Sequence, residues 1–427
     1  MIKLLNVKKK IHLLIYFSLF LALLFFLIYK NFFNLKEKLY LNYPNLKIVK
    51  YILKKDNINF NLGNDYNVKF IPFTQFEKIK FFKKKLNFQS DKFVNKTDDK
   101  IAYKNYHSFF IDLYKNSLII TDYLGDIYHL DDLENQINLD ENFKIKKIET
   151  DLNASRVFDT FVFEDKIYVS FSVEEKNCNK IHIDYAEINF DKLKFSNFFK
   201  SKTCNETGSI GRMQFFEFNE NKKGLIFSTA DGLADQPGTS AQDKNSLFGK
   251  IIFVDFKNQN YEIFSLGHRV AQGLFAKDQV VIATEHGPRG GDEINNVVYG
   301  KNYGWPIVSL GELYDFQYGS KKLKYKKDHK SNNFIEPIYS FIPSIGISEL
   351  IELPKNFSIY YDNHFLVSTL NDRSLYFVRM NNNYSKILSS EKVFIGQRIR
   401  DLKYFSKKKT IILALEENSE IGFILND

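Results

Sequence analysis

Thr284-Glu285-His286-Gly287-Pro288-Arg289-Gly290-Gly291-Asp292-Glu293-Ile294-Asn295 follows directly on the apolar run Val280-Val281-Ile282-Ala283. A short run rich in β-branched residues, closed by a Gly/Pro/Asp cluster, reads as a strand entering a sharp turn. Gly287-Pro288 breaks the chain at the strand end and can aim backbone carbonyls at one point, the donor type that a hard cation such as Ca²⁺ takes. Asp292 follows closely enough to add charge directly or through water. The plainer reading is a glycine-rich turn that only joins two strands, and the residues alone leave both open.

The strand that enters this turn belongs to a recurring pattern: a short apolar run, then Ser or Thr with an acidic residue or Gly, then a second apolar run. The copies are Leu118-Ile119-Ile120-Thr121-Asp122, Ile167-Tyr168-Val169-Ser170-Phe171, Leu225-Ile226-Phe227-Ser228-Thr229-Ala230-Asp231-Gly232, Val280 to Glu285, Phe365-Leu366-Val367-Ser368-Thr369-Leu370 and Ile411-Ile412-Leu413-Ala414-Leu415-Glu416. No sustained helical period appears outside the N-terminus. Repeats spaced by roughly 45 to 85 residues suit four-stranded propeller blades better than a solenoid of short units. An all-β, six-bladed β-propeller is therefore expected over 101–427, with tandem β-sandwiches as the alternative. In a propeller the blade loops converge on one mouth of a central channel, a natural place for a site.

The 427 residues are 44% hydrophobic and 16% aromatic, with 43 Phe and 25 Tyr, which excludes a disordered chain. The net charge of +9 comes from lysines in short, separated blocks such as Phe82-Lys83-Lys84-Lys85 and Lys407-Lys408-Lys409. These read first as dispersed surface charge and second as a basic patch; no nucleic-acid motif accompanies them, so no nucleic-acid partner is expected.

Leu13 to Tyr29 is uncharged and strongly apolar, flanked by Lys8-Lys9-Lys10 and Lys30. That is close to the minimum for a membrane-spanning helix, roughly 17 to 25 residues. No small-x-small cleavage pattern follows, so an uncleaved single-pass anchor is expected over a signal peptide. Lysines retained on the cytoplasmic side would place the rest of the chain outside, in a bacterium in the periplasm. The expected organisation is 1–35 stub and anchor, 36–100 stalk and entry segment, and 101–427 propeller. An exported compartment would permit a disulfide between Cys178 and Cys204, but their spacing does not decide whether they pair.

Gly267-His268-Arg269-Val270-Ala271-Gln272-Gly273-Leu274, the opening turn, and Gly300-Lys301-Asn302-Tyr303-Gly304-Trp305-Pro306 together resemble the glucose/sorbosone dehydrogenase family. Ala241-Gln242-Asp243 with Gly249-Lys250-Ile251, and Arg398-Ile399-Arg400-Asp401, extend the similarity. The resemblance implies a soluble-type quinoprotein propeller that oxidises aldose sugars or alcohols with pyrroloquinoline quinone (PQQ) and Ca²⁺ and passes electrons to a quinone or cytochrome. It implies that the carbonyls of Gly287 and Pro288, with Asp292 near them, hold the calcium. It also implies that Arg269, Arg398 and Arg400 face the cofactor, with Asn371 at a fourth cofactor-contact position, and arginine's planar fork suits a tricarboxylate. Arg398 and Arg400 are two apart and would share a strand face; alternatively they form a surface salt-bridge pair with Glu391 or Asp401.

The sequence departs from the family at chemically important points. Gly208, in Thr207-Gly208-Ser209-Ile210-Gly211-Arg212-Met213, stands where the family has its catalytic His, and a general base is typically worth about 10² to 10⁴ in rate. Val270 replaces an Asn, Asn371 replaces a cofactor-facing Lys, and Ala154 or Ser155 replaces a Gln. His268 and His286 read as packing or hydrogen-bonding residues. Three functions remain open on sequence: a divergent dehydrogenase, a propeller that binds a saccharide or a protein partner without catalysis, and a purely structural propeller.

Overall fold

Each of the six apolar runs becomes the second strand of a sheet: Ser117–Asp122, Lys166–Glu175, Lys222–Thr229, Val280–Glu285, His364–Thr369 and Thr410–Leu415. The structure is a computed structural model. It describes residues 108–426 apart from 138–142, 177, 206–208, 232–238, 313–324, 356, 359–360 and 362–363, together with the strands Lys69–Pro72 and Lys78–Lys85. A second strand has a neighbour on each side within its sheet and a further blade against each face. Such strands are apolar on both faces, which made them conspicuous in the sequence.

The inner strands are Phe109–Tyr114, Arg156–Phe163, Ile210–Asn219, Ala271–Lys277, Ile347–Glu352 and Ile399–Phe405, and they define blades 1 to 6. Each packs beside the inner strand of the next blade, and the sixth beside the first, closing a six-bladed β-propeller. Five sheets have four strands. In blade 6, Glu420–Asn426 pairs antiparallel with Lys78–Lys85, so a segment from early in the chain completes the last sheet. The expected anchor at Leu13–Tyr29 lies outside the described residues, and among those described no helix is long and apolar enough to cross a membrane.

Carboxylates of the inner strands staple neighbouring blades. Asp401 of blade 6 accepts the Ile111 amide of blade 1 at 2.9 Å, Asp112 accepts the Val162 amide of blade 2 at 2.6 Å, and Asp159 accepts the Met213 amide of blade 3 at 2.8 Å. The recurring Ser/Thr of the second strands serves the same end. Ser228 Oγ donates to the Ala271 carbonyl of the following blade, and Thr284 Oγ1 does the same to Ser348.

At the axis the inner strands of blades 2 to 6 each carry a bulge. At or directly after these bulges stand Asp159, Arg212, Gly273, Glu349 and Asp401, with Phe110 from blade 1. Arg212 fills the centre. Its guanidinium lies 2.8 Å from Asp159, 2.7 Å from Glu349 and 3.3 Å from Asp401, and sits over the Phe110 ring at 5.0 Å. Gly273 leaves the blade 4 position without a side chain, because a Cβ there would meet Thr284 Oγ1 at 2.5 Å and the Ser348 carbonyl at 2.6 Å. Lys403 stands 4.0 Å from Asp112 and 3.9 Å from Asp401. Burial pushes Asp112 up to about 6 and Glu349 up to about 7, against the pull of Lys403 and Arg212 respectively.

Cys178 and Cys204, whose pairing the sequence left open, form a disulfide. It joins the outer part of blade 2 to the segment that leads into the inner strand of blade 3.

Candidate active site at the propeller mouth

Loops that follow the second strands gather at one rim, and the chain enters the inner strands at that same rim. The opening motif forms such a loop in blade 4, between Val280–Glu285 and Asp292–Asn296. Gly287 is required by close approach: a Cβ there would lie 2.1 Å from the Gly291 carbonyl oxygen. Asp292 is buried and holds the loop from within. Its Oδ1 accepts the Gly287 amide, and its Oδ2 accepts the Ile345 and Ile347 amides, each at 3.0 Å. The Pro288 carbonyl accepts Ser344 Oγ at 3.2 Å, and the Gly287 carbonyl accepts Arg269 Nη1 at 2.9 Å. Among the described residues, no group of three or more His, Cys, Asp or Glu could hold a metal ion.

Arg269, on the entry to blade 4, also donates from Nη1 to the His286 carbonyl at 3.1 Å and packs against Trp305, 5.3 Å from its ring centre. Its backbone amide is held by Glu285, whose other oxygen lies 2.9 Å from His268 Nδ1; His268 Nε2 in turn contacts Ser265 Oγ at 2.8 Å. This chain is wholly buried and both ring nitrogens are satisfied, so His268 orients Arg269 and reaches no ligand. Trp305 Nε1 donates to Asp231 at 2.8 Å, and the Trp305 carbonyl accepts Gln242 Nε2 at 2.6 Å. Gln242 lies on a turn locked by Lys250, whose buried ammonium donates to the carbonyls of Ser240, Ala241 and Phe248 at 2.6, 3.0 and 2.8 Å. The AQD and GK segments thus build one wall of the mouth.

Arg398 and Arg400 converge on Glu416, with Nε–Oε distances of 2.6 and 2.7 Å. Neither Glu391 nor Asp401, the partners considered from the sequence, takes this place. Burial alone would raise the Glu416 carboxyl, yet Arg400 and Arg398 hold it down to about 2. Arg400 also donates to Gln272 Oε1 at 3.2 Å, and the hub residue Arg212 grips the Arg400 carbonyl at 2.6 Å and the Gln272 carbonyl at 3.1 Å. His286 lies in the field of Arg269, Arg400 and Arg398, and burial holds its imidazole down to about 4, neutral at physiological pH. Among the described residues, His286 Nε2 and Arg269 Nε are buried and find no hydrogen-bond partner.

The structure therefore brings Arg269, Arg398, Arg400, Gly287, Pro288 and Asp292 to one rim. Asn371 is exposed on the equivalent loop of blade 5, its amide donating to the Ile345 carbonyl at 3.2 Å. Gly208, at the position of the expected catalytic His, lies outside the described residues. Sequence reasoning missed Glu416, the anchor of the arginine pair, although it closes the sixth copy of the repeat. It also missed Arg212, visible only as the Arg of a Gly-Arg-Met triplet.

Residues 108–423 match the family model for Glucose / Sorbosone dehydrogenase. The chain is 32% identical over 197 residues to the uncharacterized protein slr1608 of Synechocystis, a match covering 42% of this chain and 46%, under half, of that protein. It is 25% identical over 284 residues to the aldose sugar dehydrogenase YliI of Escherichia coli, covering 61% of this chain and 73% of that one. Among solved structures, the PQQ-bound form of aldose sugar dehydrogenase from Streptomyces coelicolor superposes with a TM-score of 0.54 at 15% identity, over 75% of this chain and 94% of that one. With this match over most of its length, and the family's motifs gathered at one rim of a six-bladed propeller, the chain belongs to the glucose/sorbosone dehydrogenase family.

Proposed function

We propose that this chain is a PQQ- and Ca²⁺-dependent dehydrogenase that oxidises an aldose sugar or alcohol in the periplasm, anchored in the inner membrane by its N-terminal segment, with a quinone or cytochrome as electron acceptor. The observation that carries the reading is the convergence of Arg269, Arg398 and Arg400 on a rim where Arg269 Nε and His286 Nε2 have no partner among the described residues. Buried polar atoms without partners are costly in a finished fold and fit a site completed by a polar ligand. PQQ, when bound, supplies a two-electron acceptor. The three guanidiniums would hold its carboxylates, and Trp305, packed on Arg269, keeps water from that side. A carbonyl oxygen has two lone pairs, so Gly287 and Pro288 can each accept a cation beside the hydrogen bond they already receive. Asp292, whose Oδ1 accepts a single amide while Oδ2 accepts two, would add its charge beside those carbonyls directly or through water. The E. coli relative is named for aldose sugars and the Streptomyces structure contains PQQ, which supports both classes here. The disulfide supports an oxidising compartment.

A second reading, a propeller that binds a saccharide or protein without redox chemistry, is favoured by the internal hydrogen bonds of the Gly287 to Asp292 loop and by Gly208 at the position of the expected His. The two are separated by titrating the purified chain with PQQ, with and without Ca²⁺, and recording absorbance and melting temperature. Turnover of sugars and alcohols is then assayed with an artificial acceptor. A PQQ-dependent rise in melting temperature with turnover is expected; no PQQ response would overturn the dehydrogenase reading.

A further inference from the structure

We propose that Arg156, on blade 2, is a carboxylate-recognition element of this mouth and that it selects a substrate carrying a carboxylate, an acidic aldose, over a neutral one. The proposal rests on the reading of the rim as the substrate entrance and adds the substrate's charge to it.

Register places Arg156. It opposes Ser172 immediately before the blade 2 bulge, as Arg398 stands before the bulge of blade 6, so the two arginines are equivalent positions of the repeat. Their surroundings differ. Arg398 is nearly buried and neutralised by Glu416, whereas Arg156 is exposed. Its guanidinium lies over two rings, 5.1 Å from the centre of Tyr123 and 4.7 Å from that of Phe158. Tyr123 begins the loop after the second strand of blade 1, equivalent to the His286 loop of blade 4, and its carbonyl accepts the Val157 amide at 2.9 Å. The aromatic pair is thus tied to the same rim as the candidate site.

A guanidinium resting on ring faces keeps its edge N–H donors available in a fixed plane, the geometry that a carboxylate meets with two parallel hydrogen bonds. Carboxylates close in sequence are committed elsewhere. Asp122 accepts the Leu124 and Asp126 amides at 2.8 and 2.9 Å, and Asp126 pairs with Lys147. Among the described residues, no carboxylate lies within ion-pair distance of Arg156. Under the proposed function, the three arginines on blades 4 and 6 would hold the carboxylates of the cofactor. That leaves the exposed guanidinium of blade 2, on the same rim, for the substrate.

The test uses the full chain in detergent, as wild type and as Arg156→Met, which keeps the aromatic packing and removes the charge. Each is titrated calorimetrically with D-glucuronate, D-glucose and, separately, PQQ. Wild type is expected to prefer glucuronate over glucose by roughly tenfold or more, the worth of one charge-assisted contact. Arg156→Met should lose that preference with glucose affinity and melting temperature unchanged. The same glucuronate preference in both proteins, or none in wild type, would overturn the proposal. If only PQQ binding weakens, the carboxylate belongs to the cofactor and the substrate assignment is overturned. These are binding measurements: intact glucuronate recognition without PQQ-dependent turnover would sink the dehydrogenase reading and leave Arg156's role standing.

Discussion

Arg212→Met puts the axial charge hub to the test. Arg212 is 2% exposed and meets Asp159, Glu349 and Asp401, while among the described residues Lys403 is a second cation, beside Asp401 and Asp112. Methionine matches the stem but leaves three buried carboxylates without their main counter-charge. Removing one partner of a buried ion pair typically costs about 3–5 kcal/mol, because the other charge stays buried. At roughly 2 °C per kcal/mol for a large domain, the melting temperature should fall by about 6–10 °C. The pH dependence identifies the cause. In the wild type the folded-state values of Asp112 and Glu349, about 6 and about 7, lie above those of free carboxyls. Between about pH 4 and 7 the folded state therefore binds more protons than the unfolded state, and these groups make stability fall as pH rises through that window. Losing Arg212 raises the carboxyls further and extends the fall to higher pH, so the variant's deficit should be larger at pH 8 than at pH 5. Urea unfolding followed by the fluorescence of Trp305, the single tryptophan, measures both. A deficit below about 1 kcal/mol, or one as large at pH 5 as at pH 8, would refute the hub as a source of stability.

Lys250→Met should cost at least about 3 kcal/mol in the same assay, since it strands the Ser240, Ala241 and Phe248 carbonyls at about 1–3 kcal/mol each. Burial lowers the Lys250 ammonium to about 8 from an ordinary 10.5, so from about pH 8 to 10.5 the unfolded state binds more protons and this group makes wild-type stability rise with pH; the variant should lack that rise. Reduction of Cys178–Cys204, 26 residues apart, should lower stability by about 3–4 kcal/mol on the chain-entropy account, checked by unfolding with and without dithiothreitol; no change would mean that the blade 2–3 connection is held by packing alone.

Different kinds of structure were legible to different degrees. The second strands stood out because burial on both faces demands unbroken apolar runs such as Ile411 to Leu415. The inner strands were nearly invisible, because charges interrupt the apolar residues of Arg156 to Phe163 and Ile399 to Phe405, and Asp159 and Asp401 meet Arg212 only in the closed ring. Lys78–Lys85 reads as part of a lysine-rich entry segment until Glu420–Asn426 pairs with it.

The sequence by itself therefore determined the repeat, the blade number and the family, since these rest on local apolar patterning and on contiguous motifs such as Thr284 to Asn295. Tertiary structure alone decided the partners: Glu416 for Arg398 and Arg400, Arg212 for Asp159, Glu349 and Asp401, Asp292 for the Ile345 and Ile347 amides, and Cys178 for Cys204. Most of these join residues on different blades; the Glu416 pairs span only 18 and 16 residues, across one hairpin of blade 6. A charge such as Arg212 carries no local mark of the carboxylates it will face on other blades, because ring closure, not chain proximity, sets those distances.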